Sequence, residues 1–432
     1  MIKGLISSYL LYPIAERMEK RDIRNKLKSL YRYYSQPFLF REAMMKKTIY
    51  NQVAHANQKV PYYRDLFKTV KFNPESLLKD IQYLNEVPFL DKNIILEQGD
   101  RLLVDDYAKY KDHPCKTGGS TGKSVIIHYD QDAADWSAAT TLYARNSCGN
   151  KRYKKELHLS SELPVIRTGK DKFREDLKCL SMNRKNVFYK TFDDESIHRL
   201  LREIKKSKSH LVHGHPSTMY TLAVAAKKQN AQKKLFSVFE SSGEYLPVKK
   251  AEAIQETFDC NIINRYGLAE AGVIAYQLGK NTEELFLFDH MVFAESVLDE
   301  IVITNLKNNF MPLLRYKTGD LGDVKRTEGG YYIDHLRGRV HDSVTINGKV
   351  YLTHYIQDLL DRFGGVSDFQ ILTKENASPV LRVVMDEYGN KENLEKEVRA
   401  IFHDLPIEYI SMHDLKLVGR RHKFRYVVSE LS

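Results

Sequence analysis

Apolar and polar positions change their rhythm several times along this chain. Residues 14–60 form a strongly charged, helix-like stretch. Val60-Pro61-Tyr62-Tyr63 and Val87-Pro88-Phe89-Leu90 are short runs broken by proline, as expected of connections. A polar, Gly-rich stretch over 107–123 reads as a loop, the run 124–129 as a strand and 131–145 as a helix. Short apolar runs then alternate with helical stretches: Leu211-Val212-His213 precedes 217–228, and 235–241 precedes 248–258. That alternation predicts an α/β chain with βαβ-like units. Runs of β character dominate 300–324 and return at 331–334, and a new βαβ-like pattern fills 344–432. With no repeat visible, the pattern predicts a large multi-layer α/β domain over 1–337 and a small α+β domain over 338–432, divided near Gly338-Arg339. A length of 432 residues exceeds one ordinary core and agrees with two units.

The N-terminal run Met1-Ile2-Lys3-Gly4-Leu5-Ile6-Ser7-Ser8-Tyr9-Leu10-Leu11-Tyr12-Pro13 is apolar but short. Pro13 and the charges from Glu16 onward end it well before the roughly 20 residues of a spanning helix. No small-residue cleavage site follows, so a signal peptide is not expected. Two readings stay open: the segment packs on its own domain, or it lies on a membrane surface.

Composition narrows this little. A hydrophobic fraction of 42% and a charged fraction of 28% fit a soluble globular protein. Lys and Arg number 67 against 56 for Asp and Glu, a net +11 that favours anionic partners or marks a solvated basic surface. No nucleic-acid recognition motif accompanies that charge, so a nucleic-acid partner is not expected. Cys115, Cys148, Cys179 and Cys260 have neither disulfide-framework nor zinc spacing, which suits a reducing cytoplasm. Oligomeric state stays open, a dimer being one form.

Chemistry enters with Lys116-Thr117-Gly118-Gly119-Ser120-Thr121-Gly122-Lys123. Its glycines allow close backbone approach, so successive N–H groups can face a phosphate, with hydroxyls and Lys123 adding donors and charge. The P-loop spacing is absent. Alone, such a cluster also reads as a surface loop. Further along come Ser241-Ser242-Gly243-Glu244, Arg265-Tyr266-Gly267-Leu268-Ala269-Glu270, Arg315-Tyr316-Lys317-Thr318-Gly319-Asp320, Arg337-Gly338-Arg339-Val340-His341-Asp342 and Arg420-Arg421-His422-Lys423-Phe424-Arg425. Each is weak singly. A Tyr-Gly or Thr-Gly-Asp is usually a turn, with Asp320 placed after a Gly turn here.

In this order the motifs resemble the adenylate-forming superfamily, and within it the phenylacetate–CoA ligase branch with its CapK-like members linked to polysaccharide clusters. The resemblance spans 60–428. It implies ATP-dependent activation of a carboxylic acid to an acyl-adenylate with release of pyrophosphate, then transfer to CoA or to an amine or hydroxyl acceptor, such as one on a sugar or lipid intermediate. It implies that Thr117, Gly118, Gly119, Ser120, Thr121, Gly122 and Lys123 hold the ATP phosphates. Ser242, Gly243 and Glu244 would line the adenine and acyl pocket, and Tyr266 beside Gly267 would stack on adenine. Glu270 would help hold Mg²⁺, Asp320 would accept from the ribose hydroxyls, Arg339 would meet ribose or phosphate, and Lys423 would reach the carboxylate and α-phosphate from a mobile lid.

The residue types suit these tasks. Two anions meet when a carboxylate attacks a phosphate, so Mg²⁺, Lys and Arg must supply positive charge. A ribose diol wants a carboxylate acceptor and adenine an aromatic face. Two positions depart from the family: His341 stands where Asp or Lys is usual, and His422 where Gly is common. They motivate a second reading, a catalytically silent nucleotide-binding or scaffolding homologue. The stretch 276–290 lacks the cysteines that hold zinc in some relatives, so no structural zinc is expected. His213 and His215, two apart before Pro216, would share one strand face and line a substrate pocket, a metal pair being the sharper alternative.

Overall fold

The computed structural model describes residues 2–117, 125–161, 168–189, 193–229, 233–279, 284–339, 343–363, 365–374, 377–386, 389–418 and 423–430. The charged N-terminal stretch forms helices Tyr12–Met18, Ile23–Tyr34 and Phe38–Lys59. The last buries Met45, Ile49, Val53 and Ala56, a spacing of three and four that keeps one face on the core. It ends because Val60 precedes a proline and turns extended, at φ −111° and ψ 115°. Pro61 is then the first residue of a new helix, Pro61–Thr69, so the expected connection is a helix start.

Among the described residues, an eleven-stranded sheet organises the larger part. Its order is Val292–Val297, Glu300–Asn305, Tyr316–Arg326, Tyr331–Arg339, Leu285–Leu287, Gly272–Tyr276, Asn261–Leu268, Val238–Ser242, Leu211–Gly214, Glu156–Ser161, Arg184–Tyr189. The strands from Asn261–Leu268 to Arg184–Tyr189 run parallel. Helices Asp194–Ser207, Pro216–Lys228 and Val248–Phe258 link them, and strand positions such as Leu211, Val212, Phe239 and Ile262 are buried, as sheets covered on both faces require. The remaining strands pair antiparallel.

Two motifs expected at turns lie inside strands. Tyr266-Gly267 belongs to Asn261–Leu268, with a register shift at that dipeptide. Thr318-Gly319-Asp320 belongs to Tyr316–Arg326, where Gly319 has φ +76° and the register against Tyr331–Arg339 slips between Leu321 and Asp323. A bulge of this kind re-aims side chains without ending the strand.

The C-terminal residues form a four-stranded sheet ordered Ile407–Tyr409, Val380–Met385, Val366–Thr373, Val427–Ser429, with helices Thr353–Phe363 and Lys391–Phe402. Ile356, Phe369, Ile371, Leu381, Val398 and Phe402 fill a core of its own. This mixed pairing gives an α+β unit. No described helix is long and apolar enough to cross a membrane.

Candidate active site

The strand register brings the first two site residues together. Asp320 and Arg339 are directly opposed on antiparallel strands, and Arg339 Nε lies 3.0 Å from Asp320 Oδ1. Tyr266 donates its hydroxyl to the other oxygen, Oδ2, at 2.8 Å. Both Asp320 and Tyr266 are buried. Burial, reinforced by the Asp320 charge, holds the Tyr266 phenol well above its usual range, so it stays a donor. Asp320 is thereby a fixed, doubly held carboxylate.

Glu270 follows in the turn after Asn261–Leu268. It is buried, its Oε1 accepts from the Tyr316 hydroxyl at 3.0 Å, and its main-chain carbonyl accepts from Asn305 Nδ2 at 3.4 Å. Tyr316 starts the strand that carries Asp320, so one strand sets both acids.

Lys92 completes this cluster. Leu90 bridges Tyr316 in parallel, through Leu90 N to Arg315 O at 3.1 Å and Lys317 N to Leu90 O at 2.9 Å. Asp91 then caps the helix Lys92–Gln98 by accepting from Ile94 N at 2.9 Å. The Lys92 ammonium thus comes within electrostatic reach of Glu270, Asp320 and Arg339. Burial pushes its pKa down, Glu270 and Asp320 push it up, and Arg339 and Arg425 push it down again. The net direction is downward. Sequence reading missed Lys92, and Leu90-Asp91-Lys92 after a proline-broken run was its only trace.

Thr117 is buried at the base of the Gly-rich loop. Its N–H donates to Val125 O at 2.9 Å and its Oγ1 accepts from Val125 N at 3.1 Å. Gly118, Gly119, Ser120, Thr121, Gly122 and Lys123 lie outside the described residues, as do His341, Asp342 and His422. Ser242 ends the strand Val238–Ser242, and Gly243 takes φ +85°. Glu244 accepts from Ser217 Oγ at 2.6 Å with Oε2, and from the Phe424 N–H at 2.9 Å with Oε1. That carboxylate therefore ties the C-terminal motif to the larger part of the chain. The Lys423 backbone pairs with Val418 next to the held amide, and its side chain lies outside the described atoms.

His213 and His215 take different partners, because the strand Leu211–Gly214 ends between them. His215 Nδ1 donates to Ser242 O at 2.9 Å just ahead of Pro216, the first residue of its helix. His213 Nδ1 lies 2.8 Å from Glu240 Oε2, and its ring is 4.8 Å from His158. His158, His213 and Glu240 are register partners on three parallel strands. Arg145 grips Glu240 through Nε at 2.9 Å and Nη2 at 2.5 Å, and Glu156 through Nη1 at 2.8 Å. Burial holds both imidazoles below their usual pKa, His158 down to about 3. Among the described residues, no His, Cys, Asp and Glu group is arranged to hold a metal ion.

Comparison with known proteins bears on the fold that carries this geometry. The structure superposes on 2-hydroxyisobutyryl-CoA ligase in its postadenylation state, in complex with R3-HIB-AMP, with a TM-score of 0.70 and 17% identity over 92% of this chain and 91% of that one. The chain has the adenylate-forming ligase fold. The same ligase in its thioesterification state gives 0.59 with 18% identity, over 92% and 91% of the two chains. Protein CapK of Staphylococcus aureus is 20% identical over 362 residues, 78% of this chain and 79% of CapK. Indoleacetate–lysine synthetase of Pseudomonas savastanoi is 30% identical over 138 residues, 30% of this chain and 33% of that protein. No protein-family model matches.

Within this adenylate-forming ligase fold, a cavity of about 460 Å³ lies apart from the acidic cluster. Tyr33, Phe40, Met44, Trp136, Asp289 and Lys307 line it. Burial raises Asp289 to about 6 and lowers Lys307 to about 8.

Proposed function

We propose that this chain is an AMP-forming carboxylate ligase of phenylacetate–CoA ligase-like type, with 338–432 acting as a mobile lid over 1–337. The observation that carries the reading is the convergence of Glu270, Asp320, Tyr266, Arg339 and Lys92 at the strands Asn261–Leu268, Tyr316–Arg326 and Tyr331–Arg339. An activated carboxylate needs cations and a rigid acceptor for the nucleotide in one place. Asp320 accepts the ribose hydroxyls. Arg339 and Lys92 offset the phosphate and carboxylate charge, and Tyr266 supplies the aromatic face. The loop ending in Lys123 holds phosphates. Lys423, next to the amide held by Glu244, reaches the carboxylate from the lid.

Magnesium fits one end of this cluster. Glu270 is a buried carboxylate with one oxygen hydrogen-bonded to Tyr316. Mg²⁺ is commonly held by one or two carboxylates together with substrate phosphates and water. When bound as MgATP, it supplies charge neutralisation at the phosphates. CoA is the proposed acceptor, as in the ligase whose fold this chain shares, with an amine or hydroxyl of a polysaccharide precursor as the other acceptor class.

The test is ATP–pyrophosphate exchange with aryl, fatty and amino acids. At least one acid supports exchange, which Lys423→Ala lowers by about 10²-fold or more. Exchange that survives intact in Lys423→Ala rejects that role. MgATP binding without exchange across the panel rejects the enzymatic reading.

A further inference from the structure

Two neighbouring helical segments of this protein are turned inside out. The first runs through Ile2–Ile6, a π-helical stretch Ser7–Leu11 and Tyr12–Met18. Gly4, Ser7, Ser8, Tyr12 and Glu16 form its buried face. Gly4 approaches so closely that a Cβ there would stand 2.0 Å from the Tyr153 carbonyl oxygen. The opposite face carries Ile2, Ile6, Leu10, Ile14 and Met18 at every fourth position, with Tyr9 beside them, all between 47% and 76% exposed. In a plain α-helix a four-residue repeat drifts by about 40° per step. The wider π turn drifts the other way, so the row stays on one side.

The second segment, Gly169–Ser181, packs beside Ser7–Leu11 and Tyr12–Met18. Ser181 is its buried residue. It meets the sheet through Glu175, which accepts from Asn186 Nδ2 at 2.8 Å and Arg184 Nη2 at 3.5 Å. Phe173, Leu177 and Leu180 share the face turned away from Glu175 and are 68%, 50% and 40% exposed. A helix on a water-facing surface carries the reverse arrangement. The first segment also carries exposed Lys3, Arg17 and Lys20 with Glu19, and the second exposed Lys170, Lys172, Arg174 and Lys178 with Asp171 and Asp176.

We propose that these two faces dock the protein on an anionic lipid surface. The apolar rows enter the headgroup boundary while the basic side chains meet lipid phosphates. Charge selects this occupant. Seven exposed cations against the three exposed acids Glu19, Asp171 and Asp176 leave the patch net positive, which complements a negatively charged bilayer and would repel the same patch on a second copy of this chain. Attachment is to the surface, since no described helix is long and apolar enough to span. The inference does not depend on the adenylation reading.

The full chain tests it by co-sedimentation with vesicles of phosphatidylcholine alone and of phosphatidylcholine mixed with phosphatidylglycerol. Binding is expected to the mixed vesicles and to fall at least about tenfold on phosphatidylcholine alone. Leu10→Asp combined with Phe173→Asp is expected to lower binding to mixed vesicles at least about tenfold. Lys170→Gln with Lys172→Gln removes no apolar side chain, so it controls for misfolding, and it too must weaken binding. No sedimentation of the intact, folded protein with mixed vesicles overturns the proposal. So does a two-chain mass by sedimentation equilibrium that Phe173→Asp halves, because a second copy then covers these faces.

Discussion

Lys250 and Asp368 meet at 2.6 Å with both side chains almost wholly buried, one on the helix Val248–Phe258 and the other on the strand Val366–Thr373. The Lys250 ammonium also lies 4.9 Å from the ring of Phe424 and 5.5 Å from that of Tyr426. Tyr220 adds a hydrogen bond to Ser367 O at 3.2 Å. These contacts and the Glu244–Phe424 bond hold the C-terminal unit against the larger part.

Removing one partner of a buried pair leaves a charge without compensation, at a cost of roughly 3–5 kcal/mol. Lys250→Met is therefore expected to undock the C-terminal unit. Small-angle scattering should show a larger radius of gyration for the variant than for the parent, and identical profiles would reject the latch. Asp368 itself is shifted upward, because its burial outweighs the neighbouring Lys250.

Tyr266→Phe removes the donor to Asp320 and leaves a buried carboxylate short of one partner. The expected loss is about 1–3 kcal/mol of stability, read from denaturant midpoints. ATP affinity should fall in the same variant, and unchanged binding by calorimetry would dissociate the pair from the nucleotide site.

Lys92→Met is expected to lower pyrophosphate exchange by about tenfold or more with MgATP binding largely kept. Its ammonium has a lowered pKa, so its charge is present at low pH and lost as pH rises through that value. The alkaline limb of the exchange profile should accordingly lie below the ordinary lysine range. Lys92→Arg should carry that limb upward, and an unmoved limb would place the titrating group elsewhere.

His158 and His213 are held neutral inside the sheet, below the pKa of an unfolded histidine. The unfolded chain therefore takes up protons first as pH falls. Stability is complete above about pH 6.5 and declines below it by up to about 1.4 kcal/mol per pH unit for each histidine. Melting temperature should drop between pH 7 and 5, and His158→Gln should flatten that drop. A melting curve insensitive to pH over this interval would contradict the buried neutral pair.

The parts legible from sequence share a physical signature. Leu211-Val212 and Phe239 are buried on both sheet faces, so their strands read as plain apolar runs, and the helix Val248–Phe258 carries its own periodicity. The strand Glu156–Ser161 hides because Glu156 and His158 stand in the core among Arg145 and Glu240, where polar letters mimic a loop. The helix Gly169–Ser181 hides for the converse reason, its apolar letters facing outward. In the candidate site, Asp320 and Glu270 are readable as local motifs, whereas Lys92 is brought near them by the Leu90–Tyr316 bridge. Contacts that distant leave no spacing to read.

Both oxygens of Asp320 accept from the chain's own donors, Tyr266 and Arg339. Each oxygen keeps a further lone-pair site, so a diol that binds Asp320 shares it with these donors, and Arg339 is the more exposed of the two. That arginine is also the final residue of the strand Tyr331–Arg339, from which the chain leaves for the C-terminal unit. In the proposed lid mechanism, ligand occupancy and the freedom of that joint belong to one thermodynamic cycle. Whatever loosens the joint must change ligand affinity by the factor with which ligand loosens the joint.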